Sequence, residues 1–203
     1  MPKKSSRIDR SFQRVFRDLL NLLSDPALQP LDAVLIGGIA VSLVAKPRFT
    51  ADIDMLLTNF DLSRLGILIE RAPEYGFEFR VENPLQFAQH YLVILMQHRD
   101  TRIPVDISLG FSPFENEIAS RATPTSLGSL RLRVATPEDL VIMKLVAQRP
   151  IDLIDVQQIL AIHPHMDKER ILYWVSEFSA ALEMPELLEN ARRVLNQASH
   201  GES

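Results

Sequence analysis

The segment from Gly37 to Asp54 constrains the fold more than any other part of the chain. It opens with two glycines that follow a short apolar run, continues through an apolar stretch of helical length, and ends in a strand-like sequence that carries two aspartates. Glycine tolerates backbone conformations that other residues avoid, and it is typical of tight turns. The segment therefore predicts a strand, a glycine turn, a short helix, a loop and a second strand.

Two carboxylates occupy alternate positions of the second strand. Side chains two residues apart in a strand point to the same face, so Asp52 and Asp54 share one face while Ile53 and Met55 enter the core. Their Cα atoms would lie about 6.6 Å apart, which lets both side chains reach a single cation. Oxygen ligands in an incomplete protein shell are typical of Mg²⁺ sites. The alternative is an ordinary strand with one solvated face, because Asp-x-Asp also occurs by chance.

The glycine pair predicts a phosphate site. Gly37 and Gly38 stand between the apolar run 34–36 and a helix predicted over 39–45. At such a junction backbone amides can approach a phosphate, and the helix N-terminus adds partial positive charge. The alternative is a plain strand–helix turn that needs glycine only for its backbone angles.

A third acid, Asp106, follows on a strand predicted over 101–109. Val105, Ile107 and Leu109 alternate with it and are expected to be buried, which leaves Asp106 on the opposite face. Three carboxylates from two strands can hold one or two metal ions and accept a proton from an attacking hydroxyl group. Asp106 is therefore the third candidate for a metal-binding and catalytic residue.

One lysine lies inside an apolar helix. Thr136 and Pro137 are typical of a helix N-cap and first position, and they predict a helix over 137–148 in which Lys144 stands between two apolar runs. Lysine is rarely buried without a partner, so Lys144 needs an anion nearby or must extend its ammonium group to solvent. A triphosphate and a carboxylate are the candidate anions, and extension to solvent is the alternative.

These residues resemble the nucleotidyltransferase superfamily, in particular the minimal-nucleotidyltransferase-like group that contains the AbiEii toxin family. The family pattern is a Gly-Gly or Gly-Ser turn, a helix and Arg-x-Thr-x-Asp-hydrophobic-Asp, filled here by Gly37, Gly38, Arg48, Thr50, Asp52 and Asp54. Asp106 is similar to the third carboxylate of the family. A second element, Lys-Leu-x-x-x-Arg-Pro-x-Asp-x-x-Asp, is matched by Lys144, Arg149, Pro150, Asp152 and Asp155. The resemblance spans residues 33 to 160.

The resemblance implies a Mg²⁺-dependent nucleotidyltransferase that moves NMP from an NTP onto a hydroxyl acceptor, either RNA such as tRNA or a protein. The residues implied to bind Mg²⁺ or Mn²⁺ and to carry catalysis are Asp52, Asp54 and Asp106. The residues implied to bind the NTP, which is the co-substrate, are Gly37, Gly38, Arg48, Thr50, Lys144 and Asp155.

The resemblance also implies a biological setting, with alternatives. It points to the toxin of a toxin–antitoxin or phage-defence system, whose partner would be a cognate antitoxin. One alternative is a non-catalytic nucleotide- or partner-binding module with a nucleotidyltransferase fold. Another is an adenylyltransferase that modifies a small molecule of the aminoglycoside type. Asp152 has a structural alternative as N-cap of a helix predicted over 153–162, and Asp155 is alternatively placed to orient Lys144.

The pattern and the resemblance together predict an α+β fold, in which a small mixed β-sheet of nucleotidyltransferase type has flanking helices and a C-terminal helical bundle. Strands are predicted near residues 33–36, 51–57, 77–81, 90–98, 101–109 and 129–135. Helices are predicted near residues 7–24, 61–72, 137–148, 153–162, 167–181 and 185–197. We expect residues 1–135 to form the α/β core with its N-terminal amphipathic helix, and residues 136–203 to form a helical region packed on that core.

Composition excludes several kinds of site. The 203 residues contain no cysteine, which excludes disulfides, thiolate metal sites and a cysteine nucleophile. No apolar run is long enough to span a membrane, and the first residues lack the apolar core of a signal peptide, so we expect a cytoplasmic protein. An arginine face on the first helix could contact RNA phosphates, although the net charge of −4 favours an ordinary solvated face. That face consists of Arg7, Arg10, Arg14 and Arg17.

Overall fold

The computed structural model of the chain describes residues 9–199, which divide into two compact units. The first unit is made up of the described chain up to Ile39 together with Phe49–Ala135. The second unit is made up of Ala40–Arg48 together with the described chain from Thr136 onward. The division into residues 1–135 and 136–203 as domains stays a prediction; the two units differ from it in the assignment of Ala40–Arg48.

The first unit is built on a mixed sheet. Its strands within the described residues are β1 Asp32–Ile36, β2 Ile53–Thr58, β3 Phe77–Phe79, β4 Val93–His98, β5 Pro104–Leu109, β6 Thr123–Leu127 and β7 Leu130–Val134. They are arranged in the order β3-β4-β5-β2-β1-β7-β6. β2 is parallel to β5 and β1 is parallel to β7, whereas the other neighbours are antiparallel. The predicted α+β class with a small mixed sheet is confirmed.

Helices complete the first unit. In chain order they are α1 Arg10–Leu23, α2 Gly37–Val44, α3 Leu65–Arg71, α4 Pro84–Tyr91 and α5 Pro113–Arg121. Of these, α2 begins in the first unit directly after β1 and ends in the second. α1 is amphipathic as predicted, and it buries Val15, Phe16 and Leu19 almost completely, which ties it to the core by the hydrophobic effect.

Arg14, a member of the arginine face of α1, makes contacts within the first unit. Arg14 forms an ion pair with Asp100, and Asp18 lies 3.1 Å from His98 Nε2. Arg7 lies outside the described residues. Both side chains of the pair between Arg14 and Asp100 are 54% exposed, and such a pair exchanges partners readily. The ordinary solvated face and the RNA-binding face therefore both stay predictions.

The second unit contains a helical bundle. Its helices are α6 Pro137–Ala147, α7 Pro150–Ile162, α8 Lys168–Ala181 and α9 Glu186–Ser199. α6 contacts each of the other three, α7 and α8 both contact α9, and the predicted C-terminal bundle is therefore confirmed. The segment Ala40–Arg48 joins this bundle, because His163 Nε2 donates a hydrogen bond to the carbonyl oxygen of Val44 at 2.7 Å.

Several predictions in the first unit need correction. The strand predicted over 51–57 begins only at Ile53, so Asp52 lies before it. The strand predicted over 90–98 begins only at Val93, because Pro84 starts α4 and Leu92 ends it in a left-handed conformation with φ of 53°. α5 and β6 have no counterpart in the prediction. A capping box between Ser112 and Glu115 starts α5 and is the local signal for it.

The predicted cap of α7 is wrong. The helix begins at Pro150, and Arg149 occupies the N-cap position instead of Asp152. Proline suits the first position of a helix because its missing N–H would have no partner there. Asp152 lies at the third position, where its Oδ2 accepts a hydrogen bond from the backbone N–H of Arg149 at 3.2 Å.

Candidate active site

The register of the sheet places two of the predicted carboxylates side by side. β2 and β5 are parallel neighbours, and Asp54 is the register partner of Asp106. Register partners on adjacent strands point to the same face, and adjacent strands lie about 4.8 Å apart. Asp52 lies just before β2, two residues from Asp54. The sheet therefore brings Asp54 and Asp106 to one face, with Asp52 next to them in the chain.

An arginine that the sequence pattern does not single out extends this row. Arg80 follows β3, and its backbone N–H donates to the carbonyl oxygen of Leu95 at 3.0 Å. Leu95 is in turn the register partner of Asp106. The row across the sheet thus runs Arg80, Leu95, Asp106, Asp54. The side chain of Arg80 crosses Leu95 and forms an ion pair with the carboxylate of Asp106.

The electrostatics of Asp106 link it to both neighbours. Burial raises the pKa of the Asp106 carboxyl above its ordinary value, the charge and hydrogen bond of Arg80 oppose that rise, and the charge of Asp52 adds to it. Asp52 is therefore near enough to repel Asp106. Carboxylates that repel one another at one site favour a cation between them.

Gly37 brings the strand–helix turn against Asp54. α2 begins at Gly37, whose φ of 68° lies in the left-handed region that favours glycine. A Cβ atom built on Gly37 would lie 1.9 Å from Asp54 Oδ2. The turn and the carboxylate therefore share one small space, and only glycine fits it without a shift of Asp54.

We expect Gly37→Ala to lower the free energy of unfolding by about 2–4 kcal/mol, because the methyl group collides with Asp54 and alanine disfavours a positive φ. Urea unfolding followed by circular dichroism measures this change. Gly66→Ala is the matched control, since a Cβ atom on Gly66 meets nothing within 4 Å. That control lies in α3 and is expected to be neutral or slightly stabilising. Equal urea midpoints for Gly37→Ala and the wild type would contradict the close contact.

The donor set fits a divalent cation. Asp52, Asp54 and Asp106 offer only carboxylate oxygens, which are the ligands that Mg²⁺ and Mn²⁺ prefer. The hydroxyl group of Thr50 donates to Asp52 Oδ1 at 2.9 Å and orients that carboxylate. In residues 9–199 no three acidic or histidine side chains are gathered into a finished ion site, and Asp106 is paired with Arg80 instead. Metal binding by the three aspartates stays a prediction.

The second unit holds a buried ionic cluster around Lys144. Lys144 Nζ lies 2.6 Å from Asp152 Oδ1 and 3.0 Å from Asp155 Oδ2. Arg48 donates to both oxygens of Asp155, at 2.6 and 2.8 Å, and Arg149 Nε donates to Asp152 Oδ2 at 2.6 Å. Both carboxylates are fully buried and Lys144 is 6% exposed. Lys144 thus meets carboxylates, and its burial rules out extension to solvent.

Asp152 stays ionised inside this cluster. Burial alone would raise the pKa of its carboxyl, but hydrogen bonds and charge from Arg149 and Lys144 outweigh burial and lower the pKa below its ordinary value. A lowered folded-state pKa means that Asp152 stabilises the fold above the pKa of the unfolded chain. That contribution is lost as the pH falls through the folded-state pKa.

Comparison with known proteins assigns the chain to a family. The family profile described as nucleotidyl transferase AbiEii toxin, type IV TA system, matches residues 18–195, which is most of the chain. The chain belongs to the AbiEii family. This AbiEii-family chain is a nucleotidyltransferase, so the predicted resemblance and enzyme class are confirmed. None of the curated protein sequences matches it.

Three solved structures with a similar fold come from an antibiotic-resistance factor and a lincosamide antibiotic adenylyltransferase. The solution structure of the antibiotic-resistance factor ANT(2'')-Ia has a TM-score of 0.56 and 14% identity, and the match covers 87% of this AbiEii-family chain and 96% of that chain. Lincomycin-bound LnuA, a lincosamide antibiotic adenylyltransferase, has a TM-score of 0.53 and 15% identity over 77% and 99% of the two chains. The crystal structure of ANT(2'')-Ia in complex with adenylyl-2''-tobramycin has a TM-score of 0.54 and 14% identity, and the match covers 84% of this chain and 99% of that chain. These identities show a shared fold only.

The structure distributes the predicted site residues of the AbiEii-family chain over both units. The first unit contains Gly37, Gly38, Thr50, Asp52, Asp54 and Asp106, and the second contains Arg48, Lys144 and Asp155. Sequence reasoning missed Arg80, whose only local signal is a charged residue at the end of a short strand. It also missed Asp152 as the second partner of Lys144, although the family element contains that aspartate.

Proposed function

We propose that this protein transfers NMP from an NTP to a hydroxyl group of an RNA acceptor, with Mg²⁺ or Mn²⁺ bound by Asp52, Asp54 and Asp106. The observation that carries the proposal is the register pair Asp54–Asp106 beside the turn at Gly37. Such an arrangement offers metal ligands and phosphate-binding amides at one place. Membership of a nucleotidyltransferase family supports the same chemistry.

The proposed transfer needs a group that accepts the proton of the attacking hydroxyl. A bond forms between the acceptor oxygen and the α-phosphorus, the bond from that phosphorus to its bridging oxygen breaks, and pyrophosphate leaves. A divalent cation held by the carboxylates supplies positive charge near the triphosphate. We assign a carboxylate oxygen of Asp106 as acceptor of the hydroxyl proton, because burial raises the pKa of Asp106 and so favours proton uptake.

We propose phosphate binding for the turn in the first unit and, separately, for the cationic residues of the second unit. Backbone amides at Gly37 and Gly38 would donate to phosphate oxygens, since they lie at the N-terminus of α2. For Arg48, Lys144 and Asp155 we propose nucleotide binding, which the family element supports. Within the second unit, the carboxylate of Asp155 contacts the side chains of both Arg48 and Lys144 and would hold them in position.

We propose the partner from the family and the acceptor from the sequence resemblance. Membership of a type IV toxin–antitoxin family supports a toxin with a cognate antitoxin as partner. As acceptor we propose RNA, with tRNA as the main candidate and protein as the second. We propose a cytoplasmic location. In the part of the chain that the structure describes, no helix has both the length and the apolar character for crossing a bilayer.

A small-molecule adenylyltransferase is the second candidate function. ANT(2'')-Ia with adenylyl-2''-tobramycin and the lincosamide adenylyltransferase LnuA share the fold. We rank this function second, because 14% and 15% identity support the fold and not the substrate.

Radiolabelled NTPs distinguish these acceptors. We would incubate the protein with each of the four α-³²P-labelled NTPs, a divalent cation, and in turn total RNA, lysate protein, an aminoglycoside and a lincosamide. The expected result is label on RNA that resists removal of free nucleotide. Label on protein would identify protein as the acceptor in place of RNA. Label on an antibiotic would establish the small-molecule adenylyltransferase function. NTP binding without transfer to any acceptor would contradict the proposal and favour a non-catalytic module.

A further inference from the structure

Arg80 occupies a position that the proposed transfer does not yet use. It forms an ion pair with Asp106, and the side chains of both residues are partly exposed, at 31% and 32%. A partly exposed ion pair of this kind contributes little to stability, so it can exchange partners. The same carboxylate oxygens are the ones that a divalent cation needs, so the guanidinium and a cation compete for Asp106.

The acid nearest to Arg80 along its strand already has two partners. Glu78 lies two residues before Arg80 and therefore on the same face of the sheet. Its Oε1 already accepts a hydrogen bond from Gln97 Nε2 at 2.6 Å and pairs with Arg102. An anion that arrives with the cation would be the available partner. Arginine binds phosphate oxygens in a forked, two-bond geometry.

We propose that Arg80 is an exchangeable counter-ion, which neutralises Asp106 in the metal-free protein and passes to triphosphate oxygens when a divalent cation takes Asp106. The inference rests on the proposed function, because it needs the nucleotide to bring the phosphate. It makes Arg80 a positioning residue in the absence of ligand and a nucleotide-binding residue in its presence.

The proposal predicts effects of opposite sign on two binding measurements. Arg80→Met removes the competitor, so Mn²⁺ alone should bind about fivefold more tightly, as measured by electron paramagnetic resonance of free Mn²⁺. The second ligand is the complex of Mn²⁺ with an NTP analogue whose α,β-bridging oxygen is a methylene group, chosen from the four bases as the one that the wild type binds most tightly. This complex should bind about fivefold more weakly, as measured by calorimetry. Arg80→Lys keeps the positive charge but loses the forked, two-bond geometry of the guanidinium. Its affinities for Mn²⁺ alone and for the Mn²⁺–nucleotide analogue should therefore lie between those of Arg80→Met and the wild type.

Arg102→Met is the matched control. It removes the same charge from an arginine that pairs with Glu78 on the same face, and it should leave both affinities within twofold of the wild type. Circular dichroism checks that each variant is folded, and Arg80→Lys replaces Arg80→Met if the latter unfolds. If Arg80→Met binds both ligands more weakly, Arg80 has a merely structural role. If it binds both more tightly, Arg80 only repels the cation and does not bind phosphate. Either result, or no change, overturns the inference, whereas a wild type that binds neither ligand overturns the proposed function itself.

Discussion

Asp54→Asn is expected to lower the rate of nucleotidyl transfer about a thousandfold or more. The amide keeps the size of the carboxylate but carries no charge, so the pair that Asp54 forms with Asp106 across β2 and β5 loses one of its two anions. Loss of about 4 kcal/mol of stabilisation at a metal-dependent site corresponds to a factor of this size. Single-turnover transfer of radiolabelled NMP, with the acceptor identified as above, measures it.

The control for this variant is an identical change elsewhere in the same sheet. Asp32 lies in β1 and pairs with Arg133 at 2.9 Å, and its register partner is Thr58 at the far end of β2. Asp32→Asn should transfer NMP within twofold of the wild type, and both variants should unfold at similar urea concentrations. The assignment of Asp54 would be refuted by an Asp54→Asn protein that keeps more than a tenth of the wild-type rate.

Features that depend on neighbours in the sequence could be predicted. The strand-to-helix turn at Gly37 and the position of Asp54 on a strand follow from a few adjacent residues, and the structure contains both. The sequence pattern predicts Asp52 on the same strand, but Asp52 lies just before it. Pro137 and Pro150 likewise mark the starts of α6 and α7, although the first residue of α7 differs from the prediction. Local backbone preferences determine these features, so one sequence is enough to read them.

Arg80 could not be predicted, because its role depends on two strand registers at once. The contact exists only because β3 pairs with β4 so that Arg80 falls beside Leu95, and β4 pairs with β5 so that Leu95 falls beside Asp106. A slip of one residue in either pair would turn the side chain to the other face of the sheet. Hydrophobic periodicity indicates which face of the sheet each residue takes, but it does not say which residue of another strand lies opposite.

Lys144 shows an intermediate case. Its position in an apolar helix predicts that an anion lies nearby, but the identity of the anion depends on how α6 and α7 pack. The structure supplies two carboxylates from α7, and it adds Arg48 from a segment distant in sequence. The sequence contained the requirement for charge compensation, and only the packed bundle identifies the partners.

Lys144→Met is expected to lower the free energy of unfolding of the protein by about 3 kcal/mol. Removal of the ammonium group leaves Asp152 and Asp155 buried with one cation fewer, and breaking a buried ion pair by removal of one partner typically costs about 3–5 kcal/mol. We expect the lower end, because Arg48 and Arg149 remain in contact with the carboxylates. Urea unfolding measures the change, and Lys46→Met, at an exposed position of the same unit, is the matched control with an effect within about 0.5 kcal/mol.

A double variant tests whether the loss of stability in Lys144→Met comes from buried carboxylates that lack a cation. Lys144→Met combined with Asp152→Asn removes one buried anion together with the cation, so the two effects should be less than additive by about 1–3 kcal/mol. Strict additivity would mean that the 2.6 Å contact between the two side chains contributes nothing.

The same variant separates the structural role of Lys144 from its proposed role in nucleotide binding. The affinity is measured without urea, at a temperature low enough for Lys144→Met to be folded. If the role of Lys144 is purely structural, this variant should bind the Mn²⁺–nucleotide analogue as tightly as the wild type. A lysine that also offsets phosphate charge would lower that affinity about tenfold, since loss of one charge-assisted contact of about 1.4 kcal/mol corresponds to that factor. Because Asp155 contacts both Lys144 and Arg48, a tenfold loss in Lys144→Met should be matched by a similar loss in Arg48→Met. A loss in only one of them would show that the two cations do not act together on the nucleotide.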